Sequence, residues 1–388
     1  MTFRLLLLPL ICLCLCIGLC TVVGAEQAGR ESTYPSLPSE YGDMLRELPE
    51  ALRQSLPQEL FSTDAWEAAR AWEDMTSLSA ILKLIGEAFK GQWKGLLGLA
   101  LQLVGLLILR AVWQAFASHV SPPSLSWGMP LICRLCLFGL IVTQAVQLLD
   151  GVQAFYEDLG QLNGAFLPLM GALYAMGGNV GAAAANQSTL VLTFSLIEWI
   201  GGQTVIPLFS LCLSFSLLGV FDTAVAGRMQ LVTSKLKKWY TTALAIVMIV
   251  LSTVLAAQTT LAARADSLTF RTVRFAVSSS VPLVGGGVAD MLRNAASGLT
   301  WLRGLVGVGG VVLLVWLLVP HVLRLLAVRW LYSLAEDVAA WMDCREEGRL
   351  LGEVRSLYGY LLAVVSVSVL CFLFALLLLL QCGVAYVT

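Results

Sequence analysis

Charge is what this chain has least of: 13% of its 388 residues are Asp, Glu, Lys or Arg, against 58% hydrophobic. The formal net charge is −1, and no segment concentrates Lys and Arg beyond one short loop, so the basic footprint of a nucleic-acid binder is missing. Histidine is scarcer still, with only His119 and His321, far apart in the sequence. No metal-ligand cluster, no glycine loop leading into Lys-Ser/Thr and no nucleophile elbow can be assembled. The chain therefore reads as a non-enzyme without catalytic residues, metal or cofactor. Cysteine is more frequent, at ten residues, yet Cys12, Cys14, Cys16 and Cys20 fall in an N-terminal apolar run and Cys133, Cys136, Cys212 and Cys371 in later ones. No disulfide framework follows. Cys133-Arg-Leu-Cys136 has redox or zinc spacing, but in an apolar helix with no histidine nearby it reads as packing.

Long apolar runs are what the chain has in excess. A mean hydropathy of +0.82 places it among polytopic membrane proteins, and the fold class expected is all-α, with broken or re-entrant helices and a short exported N-terminal segment. Residues 1–25 have the parts of a secretory signal: Arg4, an apolar run from Leu5 to Leu19, and small residues ending at Ala25 before Glu26. Cleavage after Ala25 is expected, an uncleaved anchor helix being the alternative. Residues 26–94 read as the exported segment. Pro35, Pro38, Pro49 and Pro57 limit its helices to short pieces, while Leu45, Leu48, Leu52 and Leu56 recur at helical spacing. It reads either as a linker or as a docking surface for another protein or the membrane face.

Residues 95–388 form the expected transmembrane domain of about six to eight spans, since about twenty apolar residues cross the hydrocarbon core. The spans are Leu96–Ala117, Met129–Leu149, a broken region over 162–221, Thr241–Ala263, Leu305–Leu323 and Tyr358–Leu380. The positive-inside rule puts the loop with Arg228, Lys235, Lys237 and Lys238 in the cytoplasm, and an acidic loop with Asp150, Glu157 and Asp158 outside. Arg110 and Arg134 read as snorkelling anchors. The charged stretch Glu336–Arg355 reads as a solvated helix face or a docking surface.

The candidate functional residues are those that interrupt apolar segments. Pro282 with Gly285, Gly286 and Gly287 frees backbone groups that hydrocarbon cannot satisfy. Phe166-Leu-Pro168-Leu-Met-Gly171 resembles Ser280-Val-Pro282-Leu-Val-Gly285, and Gly177, Gly178, Asn179 and Asn186 continue the first segment in small or polar residues. Paired breaks of this kind are either the repeat pattern of a transporter or ordinary close packing. Glu198 lies deep in an apolar run, where a carboxylate is costly unless paired or wet.

The run from Ser267 through Arg271 and Arg274 to Val281-Pro-Leu-Val-Gly-Gly-Gly-Val-Ala-Asp290 resembles the stage III sporulation protein AE family of endospore-forming bacteria. A signal, a short exported segment, Phe166-Leu-Pro-Leu-Met, the basic loop and an apolar C-terminal span follow in similar order. The resemblance implies a multi-pass subunit in the outer forespore membrane of the mother cell. It implies a permease-like or channel-base role in the complex joining mother cell and forespore. The implied partners are the lipid bilayer, other stage III sporulation membrane proteins and the forespore stage II protein Q. A non-transporting scaffold, or an unrelated small-solute permease, is the alternative.

Overall fold

The computed structural model describes residues 37–62, 64–120, 128–176, 195–218, 227–247 and 285–381, with a few isolated positions besides. The signal region 1–25 and Gly177, Gly178, Asn179, Asn186 and Pro282 lie outside the described residues. Among the described residues every regular element is a helix. The protein is an all-α polytopic membrane protein, and among the described residues five helices are long and apolar enough to cross a bilayer.

Four short pieces come first. Helix α1 (Ser39–Glu47) and α2 (Glu50–Ser55) are separated at Pro49; a 3-10 turn (Gln58–Phe61) and α3 (Ala65–Thr76) follow. Pro49 and Pro57 end the first two pieces, having no N–H for an intrahelical bond, but the apolar stripe carries across the breaks. Leu45, Leu48, Leu52 and Leu56 are all buried. Asp64 caps α3 by accepting from the Trp66 amide at 3.0 Å.

The long elements are α4 (Leu78–Val120), α5 (Gly128–Met176), a π-helical turn (Trp199–Val205) leading into α6 (Ile206–Leu218), α7 (227–247), α8 (Gly285–Trp341) and α9 (Arg345–Gln381). At about 1.5 Å per residue α5 is about 73 Å long and α8 about 85 Å, more than twice the ~30 Å hydrocarbon core.

This corrects two sequence expectations. The acidic stretch with Asp150, Glu157 and Asp158 is helix, not loop, because Leu148, Val152, Phe155, Tyr156, Leu159 and Leu162 bury one face at three- and four-residue spacing. Pro168, expected to cut the chain, lies inside α5, which continues to Met176. The carbonyl it deprives of a donor belongs to Gly164, and both residues sit on the exposed face, where the loss costs least.

Helices α8 and α9 form an antiparallel hairpin joined by a turn at 342–344. Asp343 takes the left-handed position at φ 55°, and the Cys344 amide donates to the Ala339 carbonyl while that of Asp343 donates to Ala340, a Schellman closure. The hairpin is central: 61% of the most apolar stretch of α8 and 78% of that of α9 are buried, against 17% for α4 and 22% for α5.

Cross-contacts divide the bundle into two layers. In one, α1–α3 and the second half of α5 cover the apolar halves of the hairpin: Trp72 packs on Gly309, and Phe166 and Leu376 on Gly310. In the other, α4 and the first half of α5 flank the hairpin and turn Leu97, Leu101, Ile108, Leu109, Leu135 and Val146 outward. This second layer is bounded on one side by the hydrogen bond from Gln92 to the Pro320 carbonyl (3.1 Å) and on the other by the Arg110–Glu347 ion pair (3.2 Å). From Gln92 to Arg110 is about 27 Å along the helix, close to a hydrocarbon core. The start of α7 and the start of α9 lie at the end of this layer remote from α1–α3, with Arg349 donating to Gln230 at 2.9 Å. The basic segment and the N-terminal helices thus occupy opposite ends of the bundle.

Candidate functional site

Polar groups concentrate on the hairpin within the layer that α4 and α5 enclose. Glycines on α9 make room for them. Gly348 faces Ala339, Gly352 faces the Glu336 carboxylate, and Gly359 faces the Arg329 guanidinium; a methyl group at 352 would lie 2.7 Å from Glu336 Oε1, and one at 359 would lie 3.2 Å from Arg329 Cζ. Long charged side chains of α8 therefore lie flat against a small-residue face of α9. Arg355 pairs with Glu336 at 3.1 Å and donates to Ser333 at 3.2 Å. Lys237 of α7 donates to Ser356 at 3.1 Å, and Arg349 reaches Glu353 at 3.9 Å. Tyr332 and Tyr358, both fully buried, stack at 5.2 Å beside this ladder.

At the hairpin turn the charges become a cluster. Glu347, only 4% exposed, accepts from Arg110 of α4 at 3.2 Å and lies 3.5 Å from Arg134 of α5, which also pairs with Glu346. The carboxylates occupy the first turn of α9, where the helix dipole favours them. The arginines expected to snorkel as anchors are instead ion-paired across three helices. The stretch 336–355, expected to be a solvated face, has its Glu347 buried. A cavity of about 700 Å³ opens beside the cluster, lined in part by Gln114, Pro130, Asp343 and Arg345. Burial pushes the Cys344 thiol up, and Glu347 adds to the effect, so Cys344 is no thiolate nucleophile.

Of the sequence-predicted residues, Pro168 lines a shallow cavity with Glu40, Asp43, Met44, Arg46 and Glu47 of α1. Gly285, Gly286 and Gly287 form the first turn of α8 and so open a helix. Glu198 is exposed at the start of the π-helical turn, and its carboxylate lies 3.5 Å from where a methyl group on Gly160 would be. In that turn Gly201 is pressed against Tyr156, whose ring would be 1.9 Å from an added Cβ. Tyr156 shares a 3.0 Å hydrogen bond with Ser368, and Thr204 one of 2.7 Å with Tyr240. Gly201-Gly202 stays helical with a widened turn, a device often found at functional sites. Glu198 and Pro168 are not brought to the charged ladder.

No solved structure matches this chain. A stage III sporulation protein AE of Bacillus subtilis (strain 168) is 23% identical over 303 residues, covering 77% of this chain and 71% of the relative. The family model described as stage III sporulation protein AE matches residues 65–383, from the start of α3 to just beyond the end of α9. This chain belongs to the stage III sporulation protein AE family.

Proposed function

We propose that this sporulation membrane protein is a permease-like, channel-base subunit of the complex connecting mother cell and forespore. Its work site is the outer forespore membrane, with other stage III membrane proteins and the forespore stage II protein Q as partners. Residues 1–25 serve as its signal, α1–α3 lie on the exported side, and the Arg228–Lys238 end faces the mother-cell cytoplasm.

One observation carries the transport reading. The pair Glu336–Arg355 and the neighbouring Arg329 lie in the layer whose outer surface is the apolar face of α4 and α5. Ionisable groups at that depth are costly and face protein or water, which is the expected lining of a route for polar solutes. A scaffold that needs only stable spans gains little from them: the side chains of Arg355 and Glu336 are 32% and 31% exposed, and an ion pair so placed contributes at most about 1 kcal/mol.

The test is the double substitution Glu336→Met with Arg355→Met in sporulating cells. It keeps volume and removes the charges. The expected outcome is normal accumulation of the protein in the membrane with loss of forespore gene expression and spore yield. Normal spore yield would rule out the transport role and leave a scaffold.

A further inference from the structure

We propose that Arg329 holds an anionic oxygen group, a phosphate or carboxylate, at the centre of the membrane layer. The inference rests on the proposed route and names the chemical class it would admit.

Arg329 is 8% exposed, and its Nη1 is buried without a hydrogen-bond partner among the described residues. The two carboxylates of the ladder are committed elsewhere, Glu336 to Arg355 and Glu353 to Arg349. Arg355 is itself a like charge, so Arg329 is the cation that the pairing leaves over. Its depth follows from the helix. Arg329 stands nine residues past Pro320, about 14 Å along α8, in a layer about 27 Å thick. A guanidinium at the midplane of hydrocarbon without an anion is among the costliest arrangements a membrane protein can hold.

The surroundings suit an anion. Gly359 lets the guanidinium lie directly against α9, since a Cβ there would come within 3.2 Å of Cζ and Nε. Tyr332, one turn along α8, and Tyr358, next to Gly359, bring two buried hydroxyls that have at most each other as partners. A planar guanidinium fork with nearby hydroxyl donors matches the oxygens of a phosphate or carboxylate. The same chemistry can come from a lipid headgroup or from a dissolved anion.

The experiment uses the full chain in nanodiscs and follows its thermal midpoint. One arm titrates inorganic phosphate at constant ionic strength into discs of phosphatidylcholine. The second replaces part of that lipid with phosphatidylglycerol. Wild type is expected to gain a saturable rise in midpoint in one arm, and the arm identifies the source. Arg329→Met is expected to raise the phosphate or lipid requirement at least tenfold, while Arg345→Ala at the exposed turn leaves it unchanged. Arg329→Met is also expected to accumulate normally, since it removes an uncompensated charge. The proposal is overturned if neither arm shifts wild type, if Arg329→Met responds as wild type does, or if Arg329→Met fails to accumulate. The last outcome would mean that a protein group already neutralises Arg329. Because binding is read directly, a positive result here with normal spore yield in the Glu336/Arg355 variant would leave the site standing and remove only the route.

Discussion

The N-terminal helices are held to the membrane hairpin chiefly by Trp72, and replacing it by alanine is expected to release them. Trp72 is 1% exposed, packs on Gly309 and donates its Nε1–H to the Tyr41 hydroxyl at 3.1 Å. Burying an indole removes about 200 Å² from water, about 5 kcal/mol at about 25 cal/mol per Å², and measured Trp→Ala losses run at about 3–5 kcal/mol. The stranded Tyr41 hydroxyl adds to the cost, so about 4 kcal/mol is expected off the opening energy of α1–α3. That is close to three decades in amide exchange rate for a segment that opens locally. Hydrogen exchange on the full chain in nanodiscs measures it: amides of 41–56 and 65–76 should accelerate about a thousandfold while those of 345–361 stay protected. Trp72→Phe, which keeps most of the ring and loses the hydrogen bond, should cost about 1–2 kcal/mol. Acceleration of less than tenfold in α1–α3, or equal acceleration at the hairpin turn, would refute Trp72 as the anchor.

Three further outcomes are expected. Glu347→Gln leaves the part-buried Arg110 without its carboxylate and Arg134 with Glu346 alone, and should destabilise the bundle by about 3–5 kcal/mol; adding Arg110→Met to Glu347→Met should recover part of the loss of thermal midpoint, and simple additivity would argue against a coupled cluster. Gly201→Ala places a methyl group inside the Tyr156 ring position and should cost about 1–3 kcal/mol, with Tyr156→Ala restoring part of the midpoint in the double variant; no rescue would mean that the strain lies elsewhere. Burial pushes the Tyr41 phenol up to about 12, against the lowering effect of its bond to Trp72. Since a raised folded pKa means the native state holds the proton more tightly, Tyr41 stabilises α1–α3 below the unfolded value of about 10, and that contribution is lost as pH climbs from about 10 towards 12. Hydrogen exchange after short alkaline pulses should show α1–α3 loosening in that window, and Tyr41→Phe should remove the pH dependence.

The class of fold was legible because hydropathy is a sum over many residues, and no single contact can reverse it. The leucine stripe 45–56 was legible too, despite Pro49, because burial of one face follows spacing and survives a change of helix. The continuity of α5 was harder. Asp150, Glu157 and Asp158 suggest a loop when read as charge, and a helix only when the buried positions between them are counted. The Glu347 cluster was not legible, since its arginines come from two other helices more than two hundred residues upstream. A signal existed nonetheless. Gly348, Gly352 and Gly359 lie four and seven residues apart on one face of a charged helix, a pattern that a solvated face does not require. Arg329, set between apolar and aromatic neighbours, stood out as little because its missing partner is a property of space.

Hydropathy and position disagree in one instructive way along the hairpin. The most apolar parts of α8 and α9, over 305–323 and 358–376, read as spans, yet they lie in the layer that α1–α3 and α5 cover with helices whose outer faces carry Glu157, Gln153 and Gln161. The polar halves of the same helices lie where α4 and α5 turn a mainly apolar surface outward, with Lys94, Gln102, Thr143 and Gln147 also exposed in it. Each layer therefore joins one apolar and one polar half, and the two are inverted: apolar core under a polar skin in one, charged core under an apolar skin in the other. The first is how a water-exposed domain is built, and the second how a membrane protein encloses charge. With the bilayer on the second layer, the first projects about one further hydrocarbon thickness beyond it on the side of α1–α3. Centring the membrane on the first layer, as hydropathy alone does, would instead put the exposed carboxylate of Glu157 in lipid and leave Leu97 and Leu101 in water.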